Sequence, residues 1–170
     1  MQVTASIFKA YDIRGTYLRN LDAQLSEALG RAFGTLALKE GQHTVAVGRD
    51  GRLSGPVLSA ALMRGLVEVG VEVIDVGLTT TPQLYFAANT VCNSGIQVTG
   101  SHNPKDDNGF KMVLGGRAIY GDEIKALQNI IENESWQMQS GGSIRNVNVL
   151  PAYIERIVSG IELTRPLKIV

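Results

Sequence analysis

The sequence has few of the features that mark secreted, membrane or nucleic-acid-binding chains. No uninterrupted apolar stretch approaches the ~18 residues of a membrane-spanning helix, and residues 1–8 lack the basic start and apolar run of a signal peptide. The single cysteine, Cys92, excludes an internal disulfide and suits a reducing compartment. Because 16 basic and 16 acidic residues cancel, no long-range field attracts nucleic acid or an anionic membrane. We therefore predict a cytoplasmic protein with no nucleic-acid partner and no membrane partner.

The chain does contain enough apolar residues to fold. Of its 170 residues, 44% are hydrophobic and 19% are charged, which is typical of a globular domain. Hydrophobic periodicity then predicts alternating strands and helices. The predicted strands cover 44–47, 71–76 and 96–99; one helix between them starts at Ser54, and the next has Thr81 as its N-cap. This βαβαβ order predicts an α/β fold, a three-layer α/β/α sandwich with a mostly parallel, mixed sheet.

The rest of the sequence is less regular. Further predicted elements are a strand at 110–114, a helix at 122–132 and a last helix opened by Pro151, whereas 8–15 is loop-like and 135–143 has no clear period. The last residues, 167–170, have the pattern of a new strand beginning. We divide the chain into a first domain, 1–160, and a linker with the start of a further domain, 161–170. The alternative is that 167–170 pairs back onto the same sheet.

The run Thr99-Gly100-Ser101-His102-Asn103-Pro104 is the strongest candidate site. It follows a predicted parallel strand, at the end where ligands of such sheets gather. A serine in a loop rich in Asn and Pro exposes its hydroxyl and leaves backbone N–H groups free for an anion. A phosphorylated Ser101 would carry about −1.5 to −2 charges and would need cations nearby. From the loop alone, the alternative is that its polar side chains only satisfy turn hydrogen bonds.

Lys111 and Arg14 are candidate cations for such a phosphate. A lysine within a strand of a sheet covered on both faces is out of place unless it reaches a cleft, where it can act as a general acid or base. The alternative is a strand-end lysine that extends to water. Arg14 can bind phosphate in a fork, and Tyr11 offers an apolar face with a hydroxyl tip. The simpler interpretation of that segment is an ion pair between Asp12 and Arg14 on the surface.

Three segments together resemble the first domain of the α-D-phosphohexomutases, most closely the bacterial phosphomannomutase/phosphoglucomutase branch. They are Ala10-Tyr11-Asp12-Ile13-Arg14-Gly15, Val47-Gly48-Arg49-Asp50-Gly51-Arg52, and the Ser101 run followed by Asn108-Gly109-Phe110-Lys111. The resemblance implies that Ser101 is phosphorylated and that its phosphate helps to ligate Mg²⁺. The catalytic residues that it implies are Ser101, Lys111 and His102, with Lys111 as a candidate proton-transfer group. The substrate-binding residues that it implies are Tyr11, Arg14 and Asn103.

By the same resemblance, phosphoserine gives its phosphoryl group to a mannose or glucose 1- or 6-phosphate, and the other phosphate of the resulting bisphosphate returns to the serine. The implied partners are hexose phosphate, hexose bisphosphate and missing domains of the same polypeptide. The family takes its metal-binding aspartates, sugar-specificity loop and phosphate clamp from those domains, and this sequence has no D-x-D-x-D pattern. We therefore expect the isolated chain to be inactive.

Two other functions remain open at this point. One is a hydrolase in which Ser101 attacks a carbonyl with His102 as base, although adjacent side chains diverge and no G-x-S-x-G elbow is present. The other is a non-catalytic module that binds sugar phosphate or a protein partner. The presence of both Ser101 and Lys111 argues against the second, because a binding module needs no acceptor hydroxyl.

Overall fold

Strands and helices alternate along the chain in the computed structural model, which describes residues 1–168. The strands are β1 (Ile13–Thr16), β2 (Thr44–Arg49), β3 (Glu72–Leu78), β4 (Gly95–Val98), β5 (Asp107–Leu114), β6 (Arg117–Ala118) and β7 (Ser143–Asn146). The α-helices are α1 (Ala23–Lys39), α2 (Gly55–Glu68), α3 (Thr81–Ala87), α4 (Asp122–Asn133) and α5 (Leu150–Val158). A short 3₁₀ turn, Ala5–Ile7, precedes β1, and a π-helical turn, Ala88–Cys92, extends α3.

These strands form one mixed sheet in the order β1-β5-β4-β2-β3-β7, and the two-residue strand β6 pairs with β5. Strand β2 pairs in parallel with both β3 and β4, and β7 pairs in parallel with β3. Only β5 is antiparallel to its neighbours, β4, β1 and β6. The predicted α/β class, with a mostly parallel sheet, is confirmed.

Helices cover both faces of the sheet, and this gives the three predicted layers. Successive residues of β2 enter different cores: Val45 and Val47 join the larger one, which is under α1, α2 and α4, and Ala46 joins the smaller one, under α3. Such a period of two is what a strand buried on both faces requires. Strand β2 is therefore packed between two cores, and the loop that leaves its end starts from a buried strand.

The two longest helices, α1 and α2, touch through their backbones at Gly65. A Cβ at this position would overlap the carbonyl of Glu27 on α1, so only glycine allows this approach. Side chains add to the contact: Arg31 of α1 bonds to Glu68 of α2 at 2.6 Å and lies over the ring of Trp136. Helices α1 and α2, which cover the larger core, therefore pack with their backbones in direct contact at Gly65.

Three short strands were not predicted. Strand β1 begins within 8–15, predicted as a loop, and β7 starts at the end of 135–143, which has no period. The third is the two-residue strand β6, which follows the predicted strand at 110–114. The residues of β7 are all exposed, so no hydrophobic alternation marks them, while β1 is a four-residue edge strand. A further correction concerns α3, whose N-cap is Thr80 and not Thr81. Thr80 and Gln83 form a capping box there.

The carboxyl-terminal part agrees with the prediction up to α5, which has Pro151 in its first turn. From 159 to 168 the described chain enters no helix or strand, so the strand predicted over 167–170 is not seen at its first two residues. Residues 169 and 170 lie outside the described residues, and the division at 160 stays a prediction. Among the described helices, none combines the length and the apolar character needed to cross a membrane.

Candidate functional site

Ser101 lies at the carboxyl end of β4, in the loop of residues 99–106 that leads into β5, which we call the serine loop. Its side chain is exposed, as the sequence predicted. Its backbone φ is +54°, in the left-handed region that residues other than glycine rarely occupy. The Ser101 N–H donates to Thr99 Oγ1 at 2.9 Å, and the Asn103 N–H donates to the Gly100 carbonyl at 3.0 Å. These two bonds hold a sharp turn with the serine at its tip.

Asp50 connects this turn to the neighbouring parallel strand, β2. Its Oδ2 accepts a hydrogen bond from Thr99 Oγ1 at 2.8 Å and a longer one from the Gly100 N–H at 3.3 Å. Strands β2 and β4 are adjacent and parallel, so their carboxyl ends meet at one edge of the sheet. The Asp50 carboxylate therefore ties the serine loop to the rigid end of β2.

Arg52, two residues further on, holds the backbone of the same loop. Its Nη2 donates to the carbonyls of Ser101 at 3.0 Å and Asn103 at 2.8 Å. Its Nη1 donates to those of Pro104 at 2.5 Å and Asp107 at 2.7 Å. The side chain is only 13% exposed, and Nε lies 3.3 Å from Asp50 Oδ2, an ion pair without good hydrogen-bond alignment. The guanidinium packs against Gly100, where a Cβ would overlap it.

A second cluster forms where β1 pairs with β5. Asp12 Oδ2 accepts from Lys111 Nζ at 3.0 Å and from Arg14 Nε at 2.8 Å. The Asp12 side chain is 6% exposed, whereas Lys111 and Arg14 are partly open to solvent. The expected Asp12–Arg14 pair therefore exists but is not a surface pair. It is a buried carboxylate shared by two cations, and the cluster carries one net positive charge.

Three adjoining hollows bring the two clusters to one side of the molecule. The first, of about 690 Å³, is lined by Ser101 and Asn103, and the last, of about 560 Å³, by Tyr11, Arg14 and Lys111. Between them a hollow of about 250 Å³ includes both Asn103 and Arg14. Five of the six predicted site residues thus line these three hollows, which are linked by Asn103 and Arg14 and which we call the groove.

His102 is the exception among the predicted site residues. It lines none of the three hollows, and its ring Nδ1 is 3.4 Å from Ser101 Oγ, which is beyond good hydrogen-bond length. Within residues 1–168 no other side-chain bond orients its ring. The hydrolase alternative has no support in this geometry, because an activated serine needs an oriented base at hydrogen-bond distance.

Ser101 and Lys111 do not bond to each other in the described part of the chain. The lysine ammonium donates to Asp12, whereas the serine hydroxyl has only the long contact to His102. Residues 1–168 also contain no group of three or more histidine, cysteine, aspartate or glutamate side chains placed to hold a metal ion. Near the serine, Asp50 Oδ2 already accepts from Thr99, and Asp107 Oδ1 from Thr16.

Sequence reasoning missed the roles of Asp50 and Arg52 in the serine loop. The motif Arg49-Asp50-Gly51-Arg52 contributes to the family resemblance, but its bonds to this loop were not predicted. A usable signal was present: the motif follows strand β2, and the carboxyl ends of neighbouring parallel strands adjoin. An acid and a base at the end of one strand, and a loop with exposed backbone polar groups at the end of the next, favour contact between the two.

Fold and site together define an α/β/α domain that carries its polar groove at the carboxyl edge of a mixed, mostly parallel sheet. Over residues 5–138 the sequence matches a family described as phosphoglucomutase/phosphomannomutase, alpha/beta/alpha domain I. The chain belongs to this family, as the resemblance predicted.

Individual relatives agree with this assignment. The chain is 48% identical over 168 residues to a phosphomannomutase/phosphoglucomutase of Pseudomonas aeruginosa PAO1, and 44% identical over 169 residues to a phosphoglucomutase of Neisseria gonorrhoeae. These matches cover 98% of this chain, but 36% and 37% of the relatives. A crystal structure of a phosphoglucomutase/phosphomannomutase family protein from Burkholderia thailandensis superposes with a TM-score of 0.93 at 50% identity, over 98% of this chain and 38% of that one. The chain thus spans little more than a third of the length of these relatives.

Proposed function

We propose that this chain is the phosphoserine-bearing domain of a phosphohexomutase, an enzyme that interconverts the 1- and 6-phosphates of mannose, glucose or both. The observation that carries the proposal is Ser101 itself: an exposed hydroxyl on a strained, tightly bonded turn, in a groove that also holds Arg14 and Lys111. A backbone fixed in this way suits a group that must present a phosphate in one orientation. Family membership and the names of the relatives support the same activity.

The proposed reaction is a phosphoryl transfer from Ser101 Oγ to the free hydroxyl of a hexose monophosphate. The bond from phosphorus to Oγ breaks as a bond to the sugar oxygen forms; the sugar hydroxyl loses a proton and Oγ gains one. The return step uses the other phosphate of the bisphosphate and runs the same exchange in reverse. Transfer of this kind depends chiefly on positioning and on neutralising charge.

In this scheme Lys111 moves the proton to or from the sugar oxygen, and Asp12 holds the lysine in place. Arg14 and Asn103, which share the middle hollow, bind the sugar phosphate, while Tyr11 presents its ring and hydroxyl at the far end. His102 stands next to the serine, where it can face a phosphate once one is present.

A Mg²⁺ ion fits this site only in part. In this chain the proposed ligand is the phosphate on Ser101, since residues 1–168 place no group of three or more histidine, cysteine, aspartate or glutamate side chains together for an ion. The other oxygen ligands would come from elsewhere in a longer polypeptide, and the ion would neutralise phosphate charge. Inactivity of the isolated chain and a cytoplasmic location follow from the same proposal and stay predictions.

The direct test compares Ser101→Ala with Ser140→Ala in the full-length polypeptide that contains this chain. Ser140 is exposed, in a turn before β7, and serves as the matched control. We expect Ser101→Ala to remove most of the conversion of glucose or mannose 1-phosphate to the 6-phosphate, and Ser140→Ala to change nothing. Turnover within about tenfold of wild type in Ser101→Ala would contradict the proposal. A wild-type protein that binds hexose phosphate without turnover would instead be the non-catalytic module.

A further inference from the structure

The guanidinium of Arg52 is engaged by the protein itself. Of its five N–H groups, the four on the terminal nitrogens donate to main-chain carbonyls of the serine loop or of its continuation. The fifth, on Nε, is buried 3.3 Å from Asp50 Oδ2 and makes no aligned hydrogen bond within residues 1–168. An arginine placed just before a helix N-terminus is an obvious candidate for binding an anion. Its engagement excludes that role here and points to a different one.

All of these bonds act on the conformation of the Ser101 turn. The Ser101 carbonyl is held by Arg52, and its N–H is held by Thr99, whose hydroxyl is in turn bonded to Asp50. The peptide groups on both sides of the strained residue are therefore fixed by the end of β2. Gly100 lets the guanidinium lie directly under the turn, because any side chain there would overlap it.

We propose that Arg52, supported by Asp50, is a positioning residue that fixes the direction of Ser101 Oγ for phosphoryl transfer. This inference rests on the proposed function. Phosphoryl transfer needs the attacking and leaving oxygens in line, and a displacement of about 1 Å costs about 100-fold in rate. Without the four carbonyl bonds, the turn can relax from its left-handed conformation, and the hydroxyl then points in many directions.

The test follows phosphate uptake by Ser101 from glucose 1,6-bisphosphate, by intact mass, in the dephosphorylated full-length polypeptide. Arg52→Lys keeps the charge but cannot reach four carbonyls with one ammonium. We expect uptake about 10- to 100-fold slower at saturation, with the half-saturating bisphosphate concentration within about threefold of wild type. Arg64→Ala is the matched control, since Arg64 is an exposed arginine of α2 whose one ion pair within residues 1–168 is with Glu27. It should behave as wild type.

Hydrogen exchange on the same proteins supplies a readout that does not depend on turnover. Arg52→Lys should speed exchange of the Asn103 and Asp107 amides, both bonded within the serine loop, while sheet amides stay protected. Asp50→Asn keeps the four carbonyl bonds of Arg52, so we expect a smaller effect on both exchange and uptake. This milder variant keeps the proposal testable if Arg52→Lys unfolds.

The outcomes distinguish a failure of the positioning role of Arg52 from a failure of the proposed function. Faster exchange of the loop together with a wild-type rate of uptake would overturn the positioning role, and so would unchanged exchange and uptake. A rise in the half-saturating concentration alone would show that Arg52 binds the substrate. If the wild-type protein takes up no phosphate, the proposed function itself fails, whatever the exchange of the loop.

Discussion

Lys111 Nζ lies 3.0 Å from Asp12 Oδ2, a bond that joins two residues 99 positions apart in the sequence. The antiparallel pairing of Ile13 with Phe110 brings them together, since each is the neighbour of one member of that pair. The carboxylate is buried and also accepts from Arg14. The lysine that we propose to move protons is thus held by a negative charge at the wall of the same hollow.

Replacing Asp12 should disturb both cations at once. Asp12→Asn keeps the shape of the side chain but leaves Lys111 and Arg14 close together without a charge between them. We expect kcat of the full-length enzyme to fall by about tenfold or more, while thermal unfolding shows a folded protein. The control is Asp122→Asn, whose carboxylate is 97% exposed and pairs with Lys125. Wild-type kcat in Asp12→Asn would show that the carboxylate has no part in holding the lysine.

The lysine itself is tested by Lys111→Met, which keeps an unbranched side chain one atom shorter and removes the ionisable group. We expect kcat to fall more than the affinity for hexose phosphate, because a proton-transfer group acts in the transition state. Steady-state kinetics of Lys125→Met, an exposed position, give the baseline. A loss of affinity with kcat unchanged would mean that Lys111 only binds phosphate.

Gly65 should be the most sensitive glycine for stability. In Gly65→Ala the new methyl group meets the Glu27 carbonyl, so α1 and α2 must separate. Overpacking of this kind costs about 1–3 kcal/mol, which urea unfolding can measure. The comparison is Gly51→Ala, where a Cβ has open space and φ is not positive. We expect that variant to stay within about 0.5 kcal/mol of wild type, and equal losses in the two variants would contradict the account.

Stability should also depend on pH through Glu72. Hydrogen bonds from Arg145 of β7 and Thr44 of β2 lower the pKa of this carboxyl. A lowered folded-state pKa contributes stability above the ordinary glutamate range, and the contribution is lost as the pH falls through the lowered value. Because the side chain is 39% exposed, the contribution is small.

Urea unfolding of wild type and Glu72→Gln over a range of pH measures this contribution. The wild type should have the larger free energy of unfolding near neutral pH. The difference in this free energy between wild type and Glu72→Gln should become smaller in acid. Glu155→Gln on the exposed face of α5 is measured alongside as the comparison. A Glu72→Gln difference that is the same at all pH values would show that the bond to β7 contributes nothing through ionisation.

The parts of the fold that the sequence predicted are those with a strong local pattern. Strands β2, β3 and β4 are buried on both faces, and the turns beside them are rich in glycine and proline, so periodicity locates them within a few residues. Strand β7 is fully exposed and pairs only with β3, so its sequence carries no hydrophobic signal. The start of β5 at Asp107 was missed by three residues, because its first residues are polar.

The candidate site was likewise predicted only in part. Motif spacing pointed to Ser101, Lys111 and Arg14, but it could not give their partners. The Arg52 bonds to the serine loop span about fifty residues, and the bond from Lys111 to Asp12 spans twice that. Such contacts depend on which strands are neighbours in the sheet, and the order of β1, β5, β4 and β2 is not readable from a single sequence.

The central claim, that Ser101 carries a phosphoryl group, is tested most directly by intact mass and phosphopeptide mapping of the purified full-length polypeptide. We predict one added phosphate on the peptide that contains Ser101, and its loss when the protein is incubated with a hexose monophosphate. An unmodified Ser101 in an enzyme that is active, and that takes up no phosphate from a hexose bisphosphate, would contradict the account.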